Sequence, residues 1–311
     1  MAYSLTNMNN TQVTYSGLDA GMFEDFLHFV DATEKTVATY RRAIRQFANY
    51  LAINRISQPT REDVIAFREE LKVAHKPTTV QAYIVAVRLF FKWTAQKNLY
   101  KNIADNIKGA KLSRDHKKDY LTTKQVKEVL NHIDTSTLQG LRDYAIITLM
   151  ITGALRTIEV SRANLEDLRP LGDNTVLYIQ GKGRQERTDY IKIQDKVEQA
   201  IRAYLKADAP KTDKSPLFSS TSNNSKGQRL STRTISGIVK ECLKKAGYDS
   251  SRLTAHSLRH TAGTVNLQTG GTLEETQQLL RHSNINTTMI YLHHLERENN
   301  HSEERIANAI F

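Results

Sequence analysis

Six side chains in the later part of this 311-residue chain have types and spacings that suit chemistry on an anionic ester. His256 and Arg259, in LTAHSLRHTAGT, are three residues apart, one helical turn, so both can meet a shared anion. A polar helix face accounts for that pair equally well when it is taken alone. Arg156 follows an apolar run in ITGALRTIEV, where a bend after Gly153 presents a guanidinium from a rigid base. Its planar five-donor fork suits a phosphodiester whose charge grows in the transition state, and pairing with Glu159 at a helix end is the alternative. Lys182 stands between two glycines in QGKGRQER, on a turn able to reach a substrate and leave it, or simply solvated there. His282 and Tyr291, in LLRHSNINTTMIY, add an imidazole and, nine residues on, a phenol. A phenol oxygen can be a nucleophile, imidazoles can donate hydrogen bonds or carry protons, and an ammonium can act as an acid. His256 and His260 have the spacing of a zinc helix, but the Glu of H-E-x-x-H is absent and no third ligand is marked, so no metal is expected.

The order of these pieces is more telling than any one of them. TGALRTIEV, GKGRQER, HSLRHTAGT and LLRHSNINTTMIY, spanning Thr152 to Tyr291, follow one another in a layout that resembles the tyrosine site-specific recombinases, the phage integrase family. The resemblance implies a mainly α fold with a small β-hairpin. It implies a two-domain DNA clamp with the Xer- and Cre-like layout, a helical, SAM-like core-binding domain followed by an α+β catalytic domain. It implies that Arg156, Lys182, His256, Arg259 and His282 surround the scissile phosphate, with Lys182 as candidate acid, and that Tyr291 is the nucleophile. The product would be a 3′-phosphotyrosyl bond and a free 5′-hydroxyl, with no metal, ATP or other cofactor. The partners it implies are double-stranded DNA, a homo-tetramer on paired sites and an accessory directionality protein. Two departures stand out: two residues separate Gly153 from Arg156 where many members have one, and Arg281 occupies a position where a glycine commonly precedes the second histidine. Service to a mobile element is the expected role, with a Xer-type chromosome-dimer resolvase as the alternative. From other classes, a catalytically inactive DNA-binding regulator and a type IB topoisomerase stay open.

The elements that must position these residues follow from periodicity. Phe23, Phe26, Leu27 and Val30 share one helical face; Tyr40, Ile44, Phe47 and Leu51 share another, whose outer side carries Arg41, Arg42 and Arg45. Thr60 with Asp63 reads as a capping box ahead of Val64, Phe67 and Leu71, and a fourth helix follows Pro77 with Val80, Tyr83, Ile84, Val87, Phe90 and Phe91 inward. After residue 120, Thr122 with Gln125 reads as another capping box, and AIITLMITGAL as a buried helix. Residues 176–179 and 188–193 flank the Lys182 turn as a hairpin, and helical spacing returns after Ser231. The expected boundaries are therefore a flexible lead-in over 1–20, a helical domain over 21–104, a basic linker over 105–119 and a catalytic domain with a C-terminal tail over 120–311. That length leaves little room for an added N-terminal arm-binding domain such as that of lambda integrase.

Composition agrees with a nucleic-acid partner. Lys plus Arg number 44 against 33 Asp plus Glu, a net charge of +11, of which residues 1–119 carry +6 and the rest +5. Both halves are thus expected to touch the polyanion, with Arg41, Arg42, Arg45, Lys108, Lys111 and Arg114 as contacts. A single cysteine excludes an internal disulfide, and no apolar run approaches the ~20 residues of a membrane span, so a cytoplasmic protein is expected.

Overall fold

A computed structural model of the chain describes residues 3–6, 12–15, 18, 20–111, 119–181, 186–208, 212–298 and 300–311. Its contacts fall into two units, Met1–Asp115 and His116–Phe311, each built on its own apolar core.

The first unit opens on a two-stranded antiparallel hairpin, β1 (Tyr3–Thr6) with β2 (Gln12–Tyr15), and continues into helices α1 (Ala20–Phe29), α2 (Glu34–Ile53), α3 (Arg61–Ala74) and α4 (Pro77–Gln96). Within the stretch expected as a flexible lead-in over 1–20, the described residues 3–6 and 12–15 pair as this hairpin and Leu18 is fully buried. Four-residue strands are too short to show a period of two against a background of Asn and Thr. Each helix buries the face its spacing marks, and the rings of Phe47 and Phe67 meet at 5.1 Å, those of Phe90 and Phe91 at 5.2 Å. The Asp63 carboxylate accepts from the Thr60 backbone at 2.7 Å and from its hydroxyl at 2.8 Å, which starts α3 as expected.

The packed chain does not stop at residue 104. Ile103, Ala104 and Ile107 are buried in the same core, Ile107 at 2 % exposure, and Arg68 Nη1 donates to the Lys108 carbonyl at 2.9 Å. A linker starting at 105 therefore starts too early: three apolar residues among charged ones are too few to read as periodic, yet enough to pin the segment.

In the second unit α5 (Thr123–Asn131) begins on the Thr122–Gln125 capping box, and α6 (Leu138–Thr152) is the buried helix expected from its apolar run. After α7 (Thr157–Arg162) comes a three-stranded antiparallel sheet, β3 (Leu168–Leu171), β4 (Asn174–Ile179) and β5 (Asp189–Ile193), in that spatial order. The hairpin β4–β5 matches the sequence reading. β3 does not figure in it, because LRPL is largely exposed and carries Pro170, which suits only an edge strand. Helices α8 (Asp195–Ala207), α9 (Thr232–Lys245), α10 (Ala255–Gln268), α11 (Leu273–Leu280), α12 (Asn286–Glu298) and α13 (Ser302–Ile310) complete the unit.

Candidate active site

Two helix ends and two helix faces converge on one cavity. At the end of α6, Leu155 N–H reaches back to the Met150 carbonyl at 3.1 Å, and Ala154 takes φ of 48°. This is the left-handed helix stop that usually uses glycine. Gly153 is needed for another reason: a Cβ there would lie 2.4 Å from Ile191 Cδ1 of β5 and 3.1 Å from the Leu149 carbonyl. The turn delivers Arg156 to the N-cap of α7, where its backbone N–H donates to Glu159 Oε2 at 2.8 Å and its Nη1 to Glu159 Oε1 at 2.9 Å. Its side chain stays 30 % exposed, so both readings of this arginine hold, the ion pair at a helix start and the guanidinium on a cavity wall.

α10 supplies His256 and Arg259 from one face. Arg259 is 1 % exposed, and its Nη1 and Nη2 donate to the carbonyls of Ala154 and Leu280. His260 stands edge-on to His256 with ring centroids 4.5 Å apart, and 5.2 Å from the ring of Tyr291 on α12. Tyr291, 5 % exposed, packs against Gly263, where a Cβ would sit 3.4 Å from its Cε1 and 3.0 Å from Leu280 Cδ1. His282 follows α11 with Nδ1 at 3.0 Å from the Thr288 hydroxyl, and its carbonyl accepts from Gln277 Nε2 at 2.9 Å.

Arg156, His256, Arg259, His282 and Tyr291 together line a cavity of about 440 Å³. A second cavity of about 730 Å³ shares Arg156, Arg281 and His282 with it and reaches Gly181, at the edge of the β4–β5 turn. Lys182 lies outside the described residues, as does Arg114. Of the other expected DNA contacts, Arg42, Arg45, Lys108 and Lys111 are exposed, and Arg41, also exposed, pairs with Glu24 at 3.0 Å. Sequence reasoning missed Arg281 and Thr288 as parts of the site, and weighed His260 only as a zinc ligand. Arg281 was marked only by standing in place of a glycine, and Thr288 by nothing.

The electrostatics are those of a cationic pocket with buried walls. Burial, with Arg156 and Arg281 nearby, brings the Arg259 guanidinium down to about 9, so it is still charged at neutral pH. Burial and the charges of Arg259, Arg156, His256 and Arg281 hold His282 down at about 4, so its imidazole is neutral. Burial lifts the Tyr291 phenol to about 12 against the pull of Arg259 and Arg156. Burial would raise Glu159 as well, but Arg281 and Arg156 outweigh it and keep this carboxylate below its usual range. Fixed positive charge and a neutral imidazole suit a site for a phosphodiester, and the phenol of Tyr291, protonated at neutral pH, must give up its proton as its oxygen attacks.

Comparison with known proteins shows the family. The phage integrase family matches residues 119–298, and the phage integrase N-terminal SAM-like domain matches residues 21–101. The chain belongs to the phage integrase family, that of the tyrosine recombinases. It is 36 % identical over 216 residues to tyrosine recombinase XerC of Caldanaerobacter subterraneus, a match that covers 68 % of this chain and 57 % of that relative. With tyrosine recombinase XerD of Listeria innocua it shares 28 % over 285 residues, 88 % of this chain and 93 % of the relative. In fold it is similar to the XerH site-specific recombinase in a post-cleavage complex with difH DNA, at TM-score 0.69 and 20 % identity over 84 % of this chain and 78 % of that one. The Tn1549 transposon integrase, in complex with transposon right end DNA, gives TM-score 0.69 and 19 % identity over 87 % and 93 %.

Proposed function

We propose that the chain is a site-specific DNA recombinase that cuts and rejoins duplex DNA through a 3′-phosphotyrosyl intermediate on Tyr291. The observation that carries the reading is the convergence of Arg156, His256, Arg259, His282 and Tyr291 on a single cavity. Arg156 and Arg259 stabilise the charge on the non-bridging oxygens as the Tyr291 oxygen attacks phosphorus. Neutral His282, oriented by Thr288, donates a hydrogen bond, and His256 donates one or takes up the phenol proton. Lys182 is the proposed acid that protonates the departing 5′-oxygen. The phosphotyrosyl ester conserves the energy of the broken bond, so a second 5′-hydroxyl attacks it without ATP.

Double-stranded DNA is the proposed partner, held by both units, with the helical unit over residues 21–104 and its continuation to Ile107 as core-binding domain. A homo-tetramer on paired sites is proposed as the working assembly. It is supported by α13, whose Ile306 and Ile310, with the adjoining Phe311, are exposed and suit docking on a neighbouring protomer. No helix among the described residues is long and apolar enough to cross a membrane, and action in the cytoplasm is proposed. We assign the chain to a mobile element, with an accessory directionality protein. The names of its relatives, XerC and XerD, favour a second reading as a chromosome-dimer resolvase. Sequencing the junctions made on neighbouring genomic DNA separates the two.

The test of the chemistry is Tyr291→Phe, which removes only the nucleophilic oxygen. On a nicked duplex that traps covalent protein, the wild type is expected to give an adduct on a denaturing gel and the variant none, with DNA binding retained. An adduct from the variant would place the nucleophile on another residue.

A further inference from the structure

The turn that presents His282 is closed by an arginine in a conformation that favours glycine. Arg281 ends α11 at φ 50° and ψ 49°, where a side chain crowds the backbone. Such a residue persists where its surroundings hold it, and those surroundings are informative.

Arg281 Nη1 donates to the carbonyls of Gly153 at 3.2 Å and Leu279 at 2.8 Å. Its Nη2 donates to the Ala154 carbonyl at 3.0 Å and to Glu159 Oε2 at 3.0 Å. All four terminal N–H groups thus have acceptors within the protein, and the side chain is 11 % exposed. Arg281 borders the cavity, but the one donor it has left, Nε, is buried, so it offers no two-donor fork to a phosphate. What it holds is the rest of the site. Glu159, fully buried, also receives the Arg156 backbone and Nη1, so a single carboxylate joins Arg281 to Arg156. The Ala154 carbonyl is shared in the same way by Arg281 and Arg259.

We infer that Arg281 is a positioning residue for strand cleavage, locking the turn before His282 onto Glu159 and, through that carboxylate, setting the Arg156 guanidinium. The inference rests on the phosphotyrosyl reading of the same cavity. It goes beyond a simple helix stop, which glycine supplies unaided.

The test uses full-length protein and a nicked duplex, reading the adduct rate at saturating DNA apart from the Kd for that DNA. Arg281→Gly adopts the turn without strain and is expected to melt near the wild type. Its adduct rate is expected to fall about tenfold or more with Kd within about twofold, since misplacing a charge that acts in the transition state costs rate rather than binding. Arg281→Lys, which can still pair with Glu159, is expected to recover part of the rate. Glu159→Gln combined with Arg281→Gly is expected to lose less than the product of the two single losses, because both break one connection. If the glycine variant melts early, Arg281→Asn, whose side chain also tolerates this conformation, takes its place. A wild-type rate in the glycine or asparagine variant, or independent losses in the double variant, overturns the inference while the cleavage reading stands. Absence of adduct from the wild type overturns both.

Discussion

Burial beside Arg259, Arg156 and Arg281 makes His282 a group whose protonation opposes folding. Its folded pKa of about 4 lies below the value of about 6.5 that the unfolded chain offers, so as pH falls the unfolded state takes the proton first. The stability this histidine allows is full above about 6.5, declines through the interval, and is lost by about 4, at a slope on the order of 1 kcal/mol per pH unit. Chemical denaturation at neutral pH and again near pH 4.5 is expected to show a larger loss for the wild type than for His282→Gln. Equal losses would mean that the imidazole is not held neutral. Kinetics address the arginines. Arg156→Lys or Arg259→Lys is expected to slow single-turnover cleavage by about 10² or more, with a smaller effect on binding, because an ammonium cannot reproduce the planar fork. A variant that loses affinity and keeps its rate would recast that arginine as a backbone contact. The types and order of Arg156, His256, Arg259, His282 and Tyr291 were legible in the sequence because each stands in a short motif. The roles of Arg281 and Thr288 were not, since they depend on carbonyls and hydroxyls that meet the motifs only in the fold.

Helices were the legible elements, because a face such as Ile44, Phe47 and Leu51 repeats often enough to register. Their ends were harder. α6 and α11 both close through a left-handed residue, Ala154 and Arg281, and in neither does a glycine at that position announce the stop. The approach of α12 to α10 depends instead on Gly263. Gly263→Val would drive branched methyls toward Leu280 and the Tyr291 ring, where a bare Cβ already meets them at 3.0 and 3.4 Å. It is expected to destabilise the second unit by about 1–3 kcal/mol and to weaken adduct formation. Thermal unfolding followed with the nicked-duplex assay checks this, and a variant of wild-type stability would mean that α12 can shift at no cost.

Over the whole molecule, the charge excess falls on both units, so either unit can neutralise phosphates of its own. The unit boundary decides how that idea can be tested. A first fragment cut at residue 104 would leave out Ile107, whose burial is worth about 1.5–3 kcal/mol, and the Lys108 carbonyl that holds Arg68. Fragments over residues 1–111 and 119–311 respect both cores, and 1–111 is expected to unfold at higher denaturant than 1–104. Each phosphate neutralised adds about 0.9 to the slope of log affinity against log salt on duplex DNA. If both units contact the duplex at once, the full chain will show a steeper slope than either fragment, close to the sum of the two. Fluorescence anisotropy over a salt series measures all three. A full-chain slope equal to that of the 119–311 fragment would assign the phosphate contacts to that unit, and the exposed Arg42 and Arg45 would be surface charge without a part in binding.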